Sequence, residues 1–382
     1  MTPLSYAVEF LAISQALLAG GAPTPLASFP LKPGEDYHMY LSARINGSEF
    51  TCGLDSGGGD RIYLDRGKAS AVGIQPTSES RSANPQTATM STDARAKVTL
   101  ELGSLKLSDQ TLVMQNRPYA AFACNIGLGV LRQYVVEWDY DAPALRVYDA
   151  ALYKYSGPGR EVPFTLQQGS PFVNATLTFP KGDPIEARLA VDTGGGWPAA
   201  YLSKSFIDGN SIMSKVSRAV PNIYGMLSTR LEKLSVGAVE LPRPIFTLYQ
   251  ERGFGGGAEP DGLLCPGFLR RFKLIFDYPH QKLILEPGSH FRDEMPFDSS
   301  GLLVWRQGEA PYRVLKVLED SPASESGLRQ GDIVLEIDGK SAGQLSNAEI
   351  SEFLMADGRE CQLRIQRGED VLTVKLKLRK LI

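Results

Sequence analysis

The sequence predicts a mainly β chain made of two related lobes and a third, smaller β module. Three observations predict it. Glycine and proline are abundant, 38 and 25 of 382 residues, which favours short strands and tight turns over long helices. The stretch Leu54-Asp55-Ser56-Gly57-Gly58-Gly59 returns as Val191-Asp192-Thr193-Gly194-Gly195-Gly196, with the aspartates 137 positions apart. The last segment, 291–382, has no third copy and follows a different pattern.

The repeat is longer than its glycines. Tyr63-Leu64 is matched by Tyr201-Leu202 at an offset of 138. The run from Val130 to Asp139-Tyr140 is matched by the run from Phe268 to Asp277-Tyr278, again at 138. A spacing held over several landmarks marks an internal duplication. It divides the chain into 1–35, a leader or N-terminal helix; 36–153, lobe one; 154–290, lobe two; and 291–382.

The elements follow in order. Ala7–Ala19 is apolar but interrupted by Glu9, with no Lys or Arg before it, so a secretory leader and an amphipathic helix both fit. A leader would place the protein in the periplasm or outside the cell. Tyr40–Ile45, the turn Asn46-Gly47 and Phe50–Leu54 read as a hairpin whose second strand runs into Asp55. Lys97–Leu102 and Gln110–Met114 alternate as half-buried strands do, with Gly103 as the turn between them. In lobe two, Leu231–Val236, Gly237 and Ile245–Tyr249 repeat the plan. Asp139 and Asp277 sit at strand ends and read as turn residues. The boundary to the last segment falls near Pro287–Pro296, where Gly, Pro and charged residues cluster.

Composition narrows the function. The net charge is −3, so no basic surplus points to nucleic acid or an anionic membrane. Hydrophobic residues make up 43%, which excludes wholesale disorder. Beyond the N-terminus no stretch approaches a transmembrane span. His38, His280 and His290 are the three histidines, and they form no metal-ligand spacing with the cysteines, so neither metal nor cofactor is expected. Cys52, Cys124, Cys265 and Cys361 are scattered and read as buried thiols rather than a disulfide framework.

One Asp at the same place in two related lobes has a specific use. A strand ending in Asp-Ser/Thr-Gly presents a carboxylate from a tight loop. Two such loops facing across a pseudo-two-fold axis bring two carboxylates together. Like charges that close share one proton, and one carboxyl titrates high. The ionised member can activate water, and the protonated member can donate to a carbonyl.

On these residues the sequence resembles the aspartic peptidases of the retropepsin and pepsin type. The resemblance rests on Asp55-Ser56-Gly57, Asp192-Thr193-Gly194, Ile126-Gly127 and Asp261–Leu264. It implies a catalytic pair, Asp55 and Asp192. It also implies loop support from Ser56, Gly57, Thr193 and Gly194, and a polypeptide substrate bound between the lobes. With both lobes in one chain, a monomer suffices. Two departures stand out: Gly58 and Gly195 replace the usual Ala or Ser, and Cys265 replaces a glycine behind the second loop. Flap candidates are Asn84–Asp93 and Pro221–Thr229.

Residues from about 297 to 382 resemble a PDZ domain, through Ser321-Pro322-Ala323 and the run Gly327–Lys340. The resemblance implies a peptide, or a protein C-terminus, added to a sheet edge. Its carboxylate would be caught near Gly301, Leu302 and Leu303, in the loop Ser300–Leu303.

Other readings compete. The same fold without activity would be a peptide-binding scaffold. Asp55-Ser56-Gly57-Gly58 also looks like a serine-protease nucleophile loop, but only His38 precedes Ser56. Gly253–Gly257 lacks the flanking pattern of a phosphate loop. Trp197 is either pocket lining or core, and His280 a turn residue.

Overall fold

The computed structural model describes residues 23–34, 37–75, 93–115, 122–222, 225–250, 260–306 and 308–382. The expected hairpin forms from Met39–Ile45 and Ser48–Asp55, with Ile45 opposite Ser48 and Tyr40 opposite Gly53. Asn46 and Gly47 both take positive φ, as the two-residue turn matching strand twist requires. Met39, Leu41, Ala43 and Ile45 face inward and are buried, the two-residue period of a one-sided strand.

The two lobes share one topology. In lobe one, Ser48–Asp55 runs parallel to Cys124–Gly127, which is antiparallel to Arg61–Asp65, which is parallel to Leu105–Gln115. In lobe two, Ile185–Val191 runs parallel to Gly262–Leu264, which is antiparallel to Ala200–Leu202, which is parallel to Ile245–Leu248. Each lobe thus slots a late strand between the two strands that flank its Asp loop. The parallel pairs bury one face completely, with Leu54, Ile62, Ile126, Leu189 and Leu264 at most 1% exposed, and leave Tyr63, Asn125, Tyr201 and Leu263 half-buried.

A six-stranded antiparallel sheet joins the lobes. Its central pair is Tyr134–Asp139 with Phe272–Asp277. Trp138 lies opposite Leu274 and Val136 opposite Phe276. At an offset of 138, Leu274 is the counterpart of Val136 and Phe276 that of Trp138. Each residue therefore faces its partner's counterpart, which is the signature of two-fold pairing. One hydrophobic core runs through both lobes.

The first boundary needs correction. Residues up to 35 were expected to lie outside lobe one, yet Ala27–Pro30 is an edge strand of the joining sheet, paired with Ala144–Asp149. The reason is a short alternation, with Ala27, Phe29 and Leu31 buried. Prolines among these residues hid the pattern, and an edge strand tolerates them. The leader candidate Ala7–Ala19 lies outside the described residues.

Cysteine usage also differs from expectation. Cys265 and Cys361 are buried thiols, but Cys52 and Cys124 form a disulfide. They sit opposite each other in the parallel pair behind Asp55.

The last segment has its own core and its own sheet, in the order Leu302–Trp305, Arg313–Val317, Ile333–Ile337, Glu360–Arg367, Asp370–Lys377. The helix Asn347–Met355 packs on it through Ile350 and Leu354. Ser346 starts that helix with a capping box to Glu349. Buried Arg271 organises the linker, donating to the carbonyls of Gly267, His290, Phe291 and Asp293. A small cluster of Val220, Leu318 and Leu381 packs lobe two against the last segment.

Candidate active site

Asp55 ends one strand, Asp192 directly follows another, and the two meet where the lobes join. The two loops hold each other reciprocally. Ser56 N–H donates to Thr193 Oγ1 at 3.0 Å, and Thr193 N–H donates to Ser56 Oγ at 3.0 Å. Ser56 Oγ–H continues to the Val191 carbonyl at 2.6 Å. Both hydroxyl residues are fully buried, so each bond is costly to break. These contacts occupy the Ser56 hydroxyl as donor and acceptor, which leaves it unsuited to the nucleophile role of the serine-protease reading.

The glycines set the approach of the carboxylates. A Cβ on Gly57 would lie 2.8 Å from Asp192 Cγ, and one on Gly194 would lie 3.0 Å from Asp55 Cγ. Each loop's glycine is thus the floor on which the other lobe's carboxylate rests, and a side chain there would push the pair apart.

The carboxylates are not equivalent. Asp192 is set down among protein groups and receives the Gly194 N–H at 2.9 Å. Burial first, then the Asp55 charge and a hydrogen bond shared with Asp55, push its carboxyl well above the usual carboxylate range; the Gly194 N–H opposes them. Asp55 Oδ1 is buried and meets no N–H or hydroxyl donor among the described residues. Asp55 Oδ2 is bonded by Asn125 Nδ2 at 3.0 Å. The counterpart of Asn125 at the repeat offset of 138 is Leu263, which has no donor.

Other groups hold the loops from behind. Tyr63 Oη donates to the Gly58 carbonyl at 3.1 Å, and Ser170 Oγ of lobe two donates to the Gly57 carbonyl at 2.9 Å. His38 Nε2 contacts the Gly194 carbonyl across the lobes. Cys265 takes the place of Gly127 in lobe two, and its sulfur fills the space beside Gly195. A Cβ on Gly195 would lie 2.5 Å from it. The thiol is pushed well above its ordinary value, by burial first and then by the Asp192 charge, so it stays neutral. The departure at 265 is therefore matched by the departure at 195.

Of the residues singled out in the sequence, Asp55, Ser56, Gly57, Asp192, Thr193 and Gly194 come together here. Asn125, His38, Tyr63 and Ser170 were not singled out as site residues. The repeat offset was a usable signal for Asn125, because it exposes the Asn–Leu mismatch. Asp139 and Asp277 act in turns, accepting from Asp141, Ala142 and His280 N–H groups. Trp197 faces Phe297 with ring centroids 6.1 Å apart. For the flap candidates, 84–92, 223 and 224 lie outside the described residues. The strands Ala219–Pro221 and Leu227–Arg230 that flank the second pair as a hairpin. The loop 253–257 also lies outside the described residues.

Gly301, Leu302 and Leu303 lie apart from this site. Leu302 and Leu303 line a groove of about 320 Å³ between the strand Leu302–Trp305 and the helix Asn347–Met355.

Residues 292–378 match the family model of the PDZ domain. Among relatives, serine protease HTRA1 of Xenopus tropicalis is 33% identical over 63 residues, 16% of this chain and 13% of that protein. PDZ domain-containing protein MAGIX of Mus musculus is 37% identical over 71 residues, 18% of this chain and 22% of that protein. The chain thus spans well under two thirds of either relative. Among solved structures, the aspartic proteinase from Irpex lacteus aligns over 70% of this chain and 99% of that one, at 14% identity and a TM-score of 0.46. The chain is mainly β, with two lobes of one topology, and its C-terminal segment is a PDZ domain.

Proposed function

We propose that the chain is an aspartic-type endopeptidase whose PDZ domain recruits polypeptide. One observation carries this reading: Asp55 and Asp192 meet on reciprocally bonded loops of two related lobes, each carboxyl lying against the other loop's glycine. Asp55, with its Oδ2 held by Asn125, is the base that takes a proton from water. Asp192 carries the proton and donates it to the oxygen of the scissile carbonyl. Water oxygen bonds to the carbonyl carbon and gives a gem-diol. Asp55 then passes its proton to the amide nitrogen, the C–N bond breaks, and a gem-diol hydroxyl returns a proton to Asp192, leaving a carboxylic acid and an amine. The acid role persists above the usual carboxylate range and is lost as pH rises through the elevated Asp192 value. The Cys52–Cys124 disulfide supports an oxidising compartment, periplasmic or extracellular.

The test is hydrolysis of an unfolded protein by the purified chain from about pH 3 to 8. Asp55→Asn and Asp192→Asn are each expected to lower the rate about 10²–10⁴-fold. Absence of cleavage by the folded parent chain at every pH would turn the reading to a peptide-binding scaffold.

A further inference from the structure

The strand Leu302–Trp305 is the edge of the PDZ sheet. An edge can accept an added strand, and a PDZ loop catches a terminal carboxylate with backbone N–H groups. In this chain those donors already have acceptors. Ser300 N–H donates to Asp298 Oδ1 at 3.0 Å, and Gly301 N–H donates to Asp298 Oδ2 at 2.7 Å. Leu302 N–H donates to Ser300 Oγ at 2.9 Å, and that hydroxyl donates to Asp298 Oδ1 at 2.6 Å.

Asp298 lines the same groove as Leu302, Leu303, Ile350 and Leu354. Its carboxylate does from within the chain what a bound chain end would do from outside. A second carboxylate at this end of the groove meets occupied donors and a like charge. The apolar walls, and the strand edge beyond the Leu302 N–H, are untouched by this arrangement.

We propose that the groove takes an internal stretch of extended polypeptide, added as a strand to Leu302–Trp305, and discriminates against chain ends that carry a free carboxylate. This narrows the partner expected from the sequence, where C-termini were included. It rests on the reading of the PDZ groove as a polypeptide site, and not on the activity of the Asp55–Asp192 pair.

The experiment uses the full chain carrying Asp192→Asn, so that probes stay uncut. The probe is a fluorescein-labelled octapeptide ending in Tyr-Val-Leu-Phe, prepared as the free acid and as the carboxamide. A longer peptide carries the same eight residues internally. Burial raises the Asp298 carboxyl from its ordinary value against the pull of its Ser300 and Gly301 donors, so anisotropy is read at pH 7.5. The amide and the internal form are expected to bind alike, with the free acid about ten-fold weaker. Asp298→Asn is expected to bring the acid within about three-fold of the amide.

Equal or tighter binding of the free acid by the parent chain overturns the proposal, and so does binding of none of the three. Unchanged discrimination in a folded Asp298→Asn chain also overturns it. The acid–amide comparison stands without that variant should it fail to fold. Cleavage of unfolded protein by the chain with Asp192 intact is scored separately, so a silent Asp pair and a wrong groove reading give different results.

Discussion

The two Asp loops share a backbone plan but differ in what stands behind each carboxylate. In lobe one, Asn125 donates to Asp55, and Cys52–Cys124 ties together the two parallel strands behind it. In lobe two, the repeat offset puts Leu263 where Asn125 stands. The register position of the disulfide is the pair Leu189 and Gly262. A thiol, Cys265, takes the place of Gly127. Lobe one thus adds a side-chain donor and a covalent tie, whereas lobe two gives its carboxylate the backbone N–H of Gly194 and a neutral thiol nearby. The difference teaches that a two-fold backbone can carry an asymmetric pair. A donor stabilises charge and burial disfavours it, which is why, in the proposed function, the first carboxylate takes the role of base and the second that of acid.

The covalent tie gives the largest expected effect. Replacing Cys52 and Cys124 together by Ser opens a loop with a sequence separation of 72. The expected loss is about 4 kcal/mol of stability on the chain-entropy estimate, read as a lower urea midpoint. An unchanged midpoint would mean that the asymmetry between the lobes is one of donors alone. A thiol assay of the unfolded, unreduced chain should count Cys265 and Cys361 only.

The reciprocal bonds come next, because they are the feature the lobes share. Ser56→Ala and Thr193→Ala each strand a buried N–H, at a cost of about 1–3 kcal/mol. Since each hydroxyl serves the other loop, the double variant should cost less than the two single losses added together. A double-mutant cycle on unfolding measures this. Strict additivity would show that the loops are held independently.

The smallest expected effect sharpens the comparison most. Asn125→Leu makes lobe one like lobe two. Removing a donor to a carboxylate makes ionisation of the pair harder, so the acid limb of the cleavage profile should move to higher pH. Activity on that limb should fall about ten-fold, the scale of one hydrogen bond to a charged group. Leu263→Asn gives lobe two a donor, and should draw the alkaline limb to lower pH as the proton on Asp192 is released earlier. An unmoved acid limb in Asn125→Leu would remove Asn125 from the account of the asymmetry.

Much of this was legible in the sequence. The constant offset disclosed two lobes because duplicated strands keep their lengths, and Asn46-Gly47 disclosed a hairpin because few residues accept positive φ. The strand Ala27–Pro30 was not legible because four residues give too short an alternation. The Asp298 bonds did carry a local signal: a carboxylate two and three residues before its donors is an Asx-type turn.

The sequence by itself determined where the carboxylates stand, which glycines admit them, and that the chain ends in a PDZ module. These are properties of short motifs and their spacing. Only the tertiary structure decided that Asn125 reaches Asp55 across 70 positions, that Cys52 finds Cys124, and that Ser56 and Thr193 exchange bonds across 137. Such contacts depend on strand register and lobe docking. Both follow from burying the apolar faces of the whole chain at once, and no local stretch of sequence contains them.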